Sequence, residues 1–184
     1  MRILEYSREY DAYKIETRTE YGITNMFRDV DYEDKIKIFY SVDPFVNPPP
    51  EIGYYSSIRV GSQERLTNRA HVTIEGFNAI YDIKILKAST ETLVVESTIW
   101  HVIGASQRMQ PQRPVGTFSM DIVNQTGEDV VLETEMVGMS RVNLTYGNKV
   151  AFPDVHGVLP NEAIFVFKLL APPGAPLGEE QITN

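Results

Sequence analysis

The sequence predicts an all-β fold, namely an antiparallel β-sandwich or barrel of about ten short strands with extended proline-rich arms. Three observations lead to this prediction. Apolar and polar residues alternate with period two along most of the chain, turn-forming residues separate the alternating runs, and no window has the apolar spacing of an amphipathic helix. Such alternation places one face of a strand in a core and the other in water, which is typical of antiparallel sheets.

The first half of the chain contains six runs that favour strands. In one of them, Ile36 and Ile38 share a face, and Lys35 and Lys37 lie on the opposite face. Valine, isoleucine, threonine, tyrosine and phenylalanine are frequent in these runs, and these residue types favour strands. The six runs are residues 12–18, 34–42, 56–60, 70–75, 79–86 and 92–103.

The second half contains four more alternating runs, separated by turn signals. Gly127 lies between the first two of them and predicts a hairpin turn at residues 124–129. The Gly147-Asn148 pair at residues 146–149 is also compatible with a hairpin turn. The four runs are residues 117–123, 129–136, 140–146 and 163–170.

Two proline-rich stretches interrupt the strand pattern. The first contains the triplet Pro48–Pro50, and the second forms the end of the chain. Because proline has no backbone N–H to donate, neither stretch can lie inside a sheet. We therefore expect a single β domain at residues 1–170, with an extended loop at 43–55 and a long loop at 104–116, followed by a tail or arm at 171–184.

Composition limits the cellular setting. The chain has no cysteine, which excludes disulfides, thiolate zinc sites and a cysteine nucleophile. The first residues carry charges throughout, and no segment approaches the roughly 20 apolar residues that span a bilayer. We expect a soluble protein without a signal peptide or membrane segment, in the cytoplasm of the producing cell or in an assembled particle (virion). Asn124 and Asn143 stand in N-x-T sequons, which we interpret as chance matches.

The net charge of −8 is unevenly distributed along the chain. Residues 1–34 carry nine acids and five bases, residues 35–116 carry seven acids and nine bases, and residues 117–184 carry nine acids and three bases. Nucleic-acid binding requires clustered Lys and Arg, so nucleic acid is an unlikely partner. Segments of opposite charge suit contacts between copies of one chain, but a solvated acidic surface is the interpretation that we favour for this charge distribution.

No standard catalytic or nucleotide-binding motif occurs, whether a G-x-S-x-G elbow, a P-loop or G-x-G-x-x-G. His71, His101 and His156 are far apart in the sequence, so a histidine metal site would have to be assembled by the fold. We therefore expect neither enzymatic activity nor a cofactor. An active site assembled around His101 or His156 remains an alternative.

One acidic segment partly matches a calcium loop. Asp29, Asp31 and Glu33 have the spacing of the first three ligands in such a loop. The glycine and the bidentate glutamate that the loop requires are replaced by Asp34 and Tyr40. We expect a solvated acidic turn before a strand, with a weak divalent-cation site left open.

A cationic, amide-rich loop gives the main indication of function. Residues 104–116 contain two arginines and three glutamines and no acidic residue. Arginine binds carboxylates and glutamine amides bind exposed backbone, so we expect an acidic protein partner, ahead of a mobile surface hairpin and of nucleic acid. The candidate contact residues are Arg108, Gln110, Gln112 and Arg113.

Tyrosines and prolines supply the other candidate contacts. Tyrosine joins apolar area to a polar tip, which suits both protein interfaces and sugar-binding platforms. Extended proline-rich segments can wrap neighbouring subunits. The residues are Tyr54, Tyr55, Pro172 and Pro173.

Together these features favour a non-enzymatic structural or assembly protein that forms a homo-oligomer or part of a larger particle. Virus or phage tail, neck and capsid-associated components are built in this way, by analogy of architecture. Its partners would be itself and other protein subunits, and a small-molecule ligand is not indicated. The alternative is a carbohydrate-binding β domain that uses exposed tyrosines and Trp100.

Overall fold

The computed structural model describes residues 1–109, 115–135, 141–158 and 165–172. These ranges contain fourteen strands and no helix, hence no helix long and apolar enough to cross a membrane. The all-β prediction is confirmed, and the described strands do not close into a barrel. The chain separates into two compact units, unit 1 (Met1–Val102) and unit 2 (Ile103–Asn184). The predicted limit between a domain and a tail, at residue 171, stays a prediction.

Unit 1 is built from one large sheet and a two-stranded ribbon. Its eight strands are β1 (Arg2–Ser7), β2 (Ala12–Thr24), β3 (Tyr32–Tyr40), β4 (Gly53–Val60), β5 (Gln63–Glu64), β6 (Ala70–Val72), β7 (Phe77–Ile85) and β8 (Thr90–Val102). The sheet has the order β1-β2-β8-β4, and both β5 and β6 pair with β4. The ribbon consists of β3 and β7. All of these pairs are antiparallel.

The core of unit 1 lies between the ribbon and the sheet, in a sandwich-like arrangement. Ile36 of β3 and Ile85 of β7 belong to the same buried cluster as Ile58 of β4 and Ile99 of β8. The alternation of the sequence produces this core, because every second residue of each strand points inward. Burying one isoleucine side chain completely, as at Ile58 and Ile85, contributes about 2–3 kcal/mol.

The proline-rich segment at residues 43–55 does not project from unit 1 as the predicted arm. Phe45 packs against the core, and Pro49 is buried. The side-chain amide of Asn47 donates a hydrogen bond of 3.1 Å to the carbonyl of Glu9. Residues 43–52 lie outside the strands, as predicted, whereas Gly53–Tyr55 at the end of the predicted loop belong to β4 and pair with β8 and β6. Phe45 and Pro49 hold the proline-rich part against the folded unit.

Unit 2 contains a four-stranded sheet and a second two-stranded ribbon. Its strands are β9 (Gln107–Met109), β10 (Val115–Asn124), β11 (Val130–Thr134), β12 (Arg141–Leu144), β13 (Lys149–Val158) and β14 (Phe165–Leu170). The sheet has the order β12-β11-β14-β9. Within unit 2, β10 and β13 form a further antiparallel pair, which is the ribbon of this unit. The buried residues Leu132, Phe165 and Phe167 lie on β11 and β14 of the four-stranded sheet.

The two predicted hairpin turns of unit 2 are wrong. β10 pairs with β13, and β11 pairs with β12, so residues 124–129 and 146–149 each connect strands that do not pair with one another. Alternation and turn residues locate strand ends correctly here. They carry no information on which strand becomes the partner.

Each unit contains the same bent ribbon, although the sequence shows no evident repeat. In unit 1 the β2–β8 ladder continues into the β3–β7 ladder after a bend formed by residues 25–31 and 86–89. In unit 2 the β10–β13 ladder continues into the β11–β12 ladder after a bend formed by residues 124–129 and 145–148. We call these bend 1 and bend 2.

A buried asparagine fixes each bend. The side-chain amide of Asn25 donates to the carbonyls of Val30 (2.9 Å), Ile85 (3.2 Å) and Leu86 (3.3 Å). Its side-chain oxygen accepts a hydrogen bond of 2.9 Å from the backbone N–H of Phe27. The side chain thereby satisfies backbone groups of both chain segments at the bend, which have left the strand ladders.

Asn124 has the same role in bend 2. Its side-chain amide donates to the carbonyls of Glu128 and Leu144, each at 2.8 Å. Its side-chain oxygen accepts from the backbone N–H and the hydroxyl of Thr126, at 2.9 and 2.8 Å. Asn124 and Thr126 are both buried, so the folded chain does not present this sequon at its surface.

Candidate interaction surfaces

Of the two adjacent tyrosines predicted to contact a partner, only Tyr54 reaches the surface. It is half-buried, and the guanidinium of Arg69 lies 4.4 Å from its ring centroid. Tyr55 is 5% exposed and packs against Phe77 with 4.2 Å between ring centroids. Burial raises the pKa of Tyr55 to about 12. Tyr55 is therefore a core residue, and its predicted contact role is dropped.

The remaining predicted contact residues lie in unit 2. Arg108 is exposed on β9, which pairs with β14 at the edge of the four-stranded sheet. Pro172 is buried, which argues against its role as an exposed arm contact. Gln110, Gln112, Arg113 and Pro173 lie outside the described residues.

Trp100 does not form an open platform for a sugar. Its side chain is 6% exposed, with Tyr10 packed edge-on at 5.5 Å between ring centroids. The ammonium of Lys14 lies 5.4 Å from its ring centroid. A sugar platform needs an exposed aromatic face.

The histidines are distributed over separate places. His101 lies beside Tyr40, with 3.4 Å between its Nδ1 and the tyrosine hydroxyl. Burial, reinforced by the charge of Asp43, raises the pKa of Tyr40. His156 is exposed, and its Nδ1 lies 3.1 Å from the hydroxyl of Thr117. Over the ranges that the structure describes, no group of three His, Asp or Glu side chains could hold a metal ion.

The acidic segment at residues 29–34 forms ion pairs with lysine. The ammonium of Lys84 lies 3.2 Å from carboxylate oxygens of both Asp31 and Glu33. The backbone N–H of Lys87 also donates to Asp31, at 3.1 Å. These two partners, first the Lys87 N–H and then Lys84, hold the pKa of Asp31 below its ordinary value. The predicted acidic turn before a strand is what the structure contains.

Bend 1 exposes a group of apolar side chains, which we call the knuckle. Met26 is 83% exposed, Phe27 59%, and Val30 and Leu86 57% each. Backbone groups of Phe27, Val30 and Leu86 all bind the single side chain of Asn25, so these residues are close in space. The knuckle therefore consists of exposed apolar residues whose backbones are held together on one hydrogen-bonded frame. Clustered exposed apolar residues can mark interaction sites.

Bend 2 is mostly polar at the place where bend 1 is apolar. The exposed residues of bend 2 are polar or glycine, namely Gln125, Gly127, Glu128, Asp129, Thr145, Gly147 and Asn148, apart from Tyr146, which is 69% exposed. Both bends have a buried asparagine and the same strand pairing on either side. Bend 2 is one residue shorter than bend 1, but its asparagine bonds the two chain segments in a similar way among polar residues. The buried asparagine therefore does not itself require apolar neighbours.

A second candidate surface is an open groove of about 520 Å³ in unit 1. One wall is the triplet Pro48–Pro50, and the other is the segment from His71 to Ile74. Ile74 is 74% exposed, and Glu51 and His71 are joined by a contact of 2.9 Å. We call this surface the groove.

Glycine at the start of β4 positions the proline wall of the groove. A Cβ at Gly53 would collide with the carbonyl oxygen of Thr98 and with Cα of Ile99. The missing side chain allows β4 to approach β8 this closely. The preceding residue, Ile52, accepts a hydrogen bond of 2.8 Å from the N–H of Trp100. The chain from Pro48 to Gly53 is thus fixed along the sheet.

Unit 2 has a smaller open cleft of about 390 Å³, whose lining carries both signs of charge. Glu133 lies opposite Arg141 on one side and Lys168 on the other. Val166 of the same cleft lies opposite Arg108 in the β14–β9 pair. Arg108, which the sequence indicated as a contact residue, therefore lies next to a cleft that contains the carboxylates of Glu133 and Glu135.

Sequence reasoning missed the knuckle because it treated residues 28–34 as an acidic turn. The available signal was Met26-Phe27, two adjacent large apolar residues outside every alternating run, which follow Asn25 after the end of β2. One wall of the groove was predictable from the sequence, because the proline triplet Pro48–Pro50 stands out there. The opposite wall could not be found, because β6 meets β4 only through the fold.

No family model, curated protein sequence or solved structure matches this chain.

Proposed function

We propose that the chain is a non-enzymatic structural subunit that assembles with protein partners, first of all with copies of itself. The observation that carries this proposal is the knuckle. Four large apolar side chains are exposed on a hydrogen-bonded frame, at a bend whose counterpart in unit 2 is polar apart from Tyr146. Exposed apolar area is stabilised when a partner removes it from water.

The surroundings of the knuckle support a protein partner. Arg28, Asp29 and Lys87 are exposed around it, and Asp31 is bound to Lys84. An apolar centre with a polar rim of both signs is typical of protein–protein interfaces. The finer proposal is that the chain is a component of a virus or phage tail, neck or capsid. It rests on analogy with such components, which are β subunits that assemble through their surfaces and have no catalytic site.

The carbohydrate-binding alternative receives less support. It relies on exposed aromatic faces, whereas Trp100 is 6% exposed and the face of Tyr54 is covered by Arg69. The enzyme alternative relies on a site around His101 or His156. In the described residues these histidines contact Tyr40 and Thr117, and no specific observation favours a reaction there.

Sedimentation velocity over a wide range of protein concentration tests the proposal. We expect the wild-type chain to associate as its concentration rises, and to do so also at high salt, because apolar contacts are not screened. Phe27→Gln should weaken association about tenfold to a hundredfold, since up to about 3 kcal/mol is at stake when roughly 120 Å² of a phenylalanine is buried.

Tyr146→Gln is the matched control for this experiment. It replaces an aromatic residue that is 69% exposed at the equivalent bend of unit 2, so it should leave association unchanged. A wild-type chain that stays monomeric at every concentration would contradict self-assembly. Equal weakening by both substitutions would remove the special role of the knuckle.

A further inference from the structure

We draw no further inference here: the strongest candidate, the open cleft beside β11 and β14 of unit 2, has two carboxylates (Glu133, Glu135) and two cations (Arg141, Lys168) among its described lining residues, so its charge selects no ligand, and nothing in the structure shows what fills it.

Discussion

Replacing Asn124 with alanine should destabilise unit 2 by about 3–5 kcal/mol. The side chain is fully buried and makes four hydrogen bonds, two to the carbonyls of Glu128 and Leu144 and two from Thr126. Each such bond contributes about 1 kcal/mol, and backbone groups left without a partner in the interior add a penalty. The sum is a large part of the stability of a domain of this size.

Urea denaturation followed by circular dichroism measures this effect. Asn143→Ala is the matched control, because Asn143 lies exposed on β12 and should change the free energy of unfolding by less than about 0.5 kcal/mol. Asn25→Ala should destabilise unit 1 by a similar mechanism, since Asn25 is 3% exposed and joins both segments of bend 1. A loss below about 1 kcal/mol for Asn124→Ala would refute the role given to this side chain.

Asn124→Asp adds a test with a defined sign. The substitution keeps the oxygen that accepts from Thr126 but places a carboxylate oxygen against the carbonyls of Glu128 and Leu144. Burial and these carbonyls raise the pKa of the new aspartate in the folded state. The folded state then binds a proton more tightly than the unfolded state, so stability relative to wild type should recover as pH falls through that raised pKa. A variant equally unstable at neutral and acidic pH would contradict this.

Two further predictions concern backbone strain and titration. Ala88 and Gly147 occupy corresponding left-handed positions in the two bends, with φ of 51° and 75°. In thermal unfolding, Ala88→Gly should stabilise the protein and Gly147→Ala should destabilise it, by about 1 kcal/mol each. If both substitutions change stability in the same direction, the two bends do not correspond. Partial burial raises the pKa of Glu64, but hydrogen bonds from Ser57 and three backbone amides outweigh it and lower the pKa. Its stabilising effect should be present at neutral pH and lost as pH falls through the folded pKa, and Glu64→Gln should remove that part of the acid sensitivity.

The strands themselves could be predicted from the sequence because their alternation is strict. Residues 92–103 were expected as a strand, and β8 extends from Thr90 to Val102. β13 was not foreseen, since Pro153 and Gly157 interrupt its pattern. Proline is tolerated there because, within the described part of unit 2, β13 pairs with β10 on one side only. The pairing of the strands could not be predicted from the sequence, as the two wrong hairpin predictions at residues 124–129 and 146–149 show.

The candidate surfaces were only partly predictable for related reasons. Successive strand residues point to opposite faces, and one face of β4 lies in the core, so Tyr55 is buried while Tyr54 reaches the surface. The groove requires β6 beside the proline segment, a long-range arrangement that no local pattern encodes. The exposure of Met26 and Phe27 is notable only when bend 1 is compared with bend 2. That comparison requires the strand pairing of the folded protein.

Hydroxyl-radical labelling of Met26 tests the central claim most directly. Its thioether is 83% exposed in the single chain, so it should oxidise rapidly when the protein is dilute. If the knuckle is the assembly contact, the oxidation rate of Met26 should fall severalfold as concentration drives association, while labelling of Tyr146 at the other bend stays constant. An assembled protein in which Met26 oxidises as fast as in the dilute chain would contradict the account.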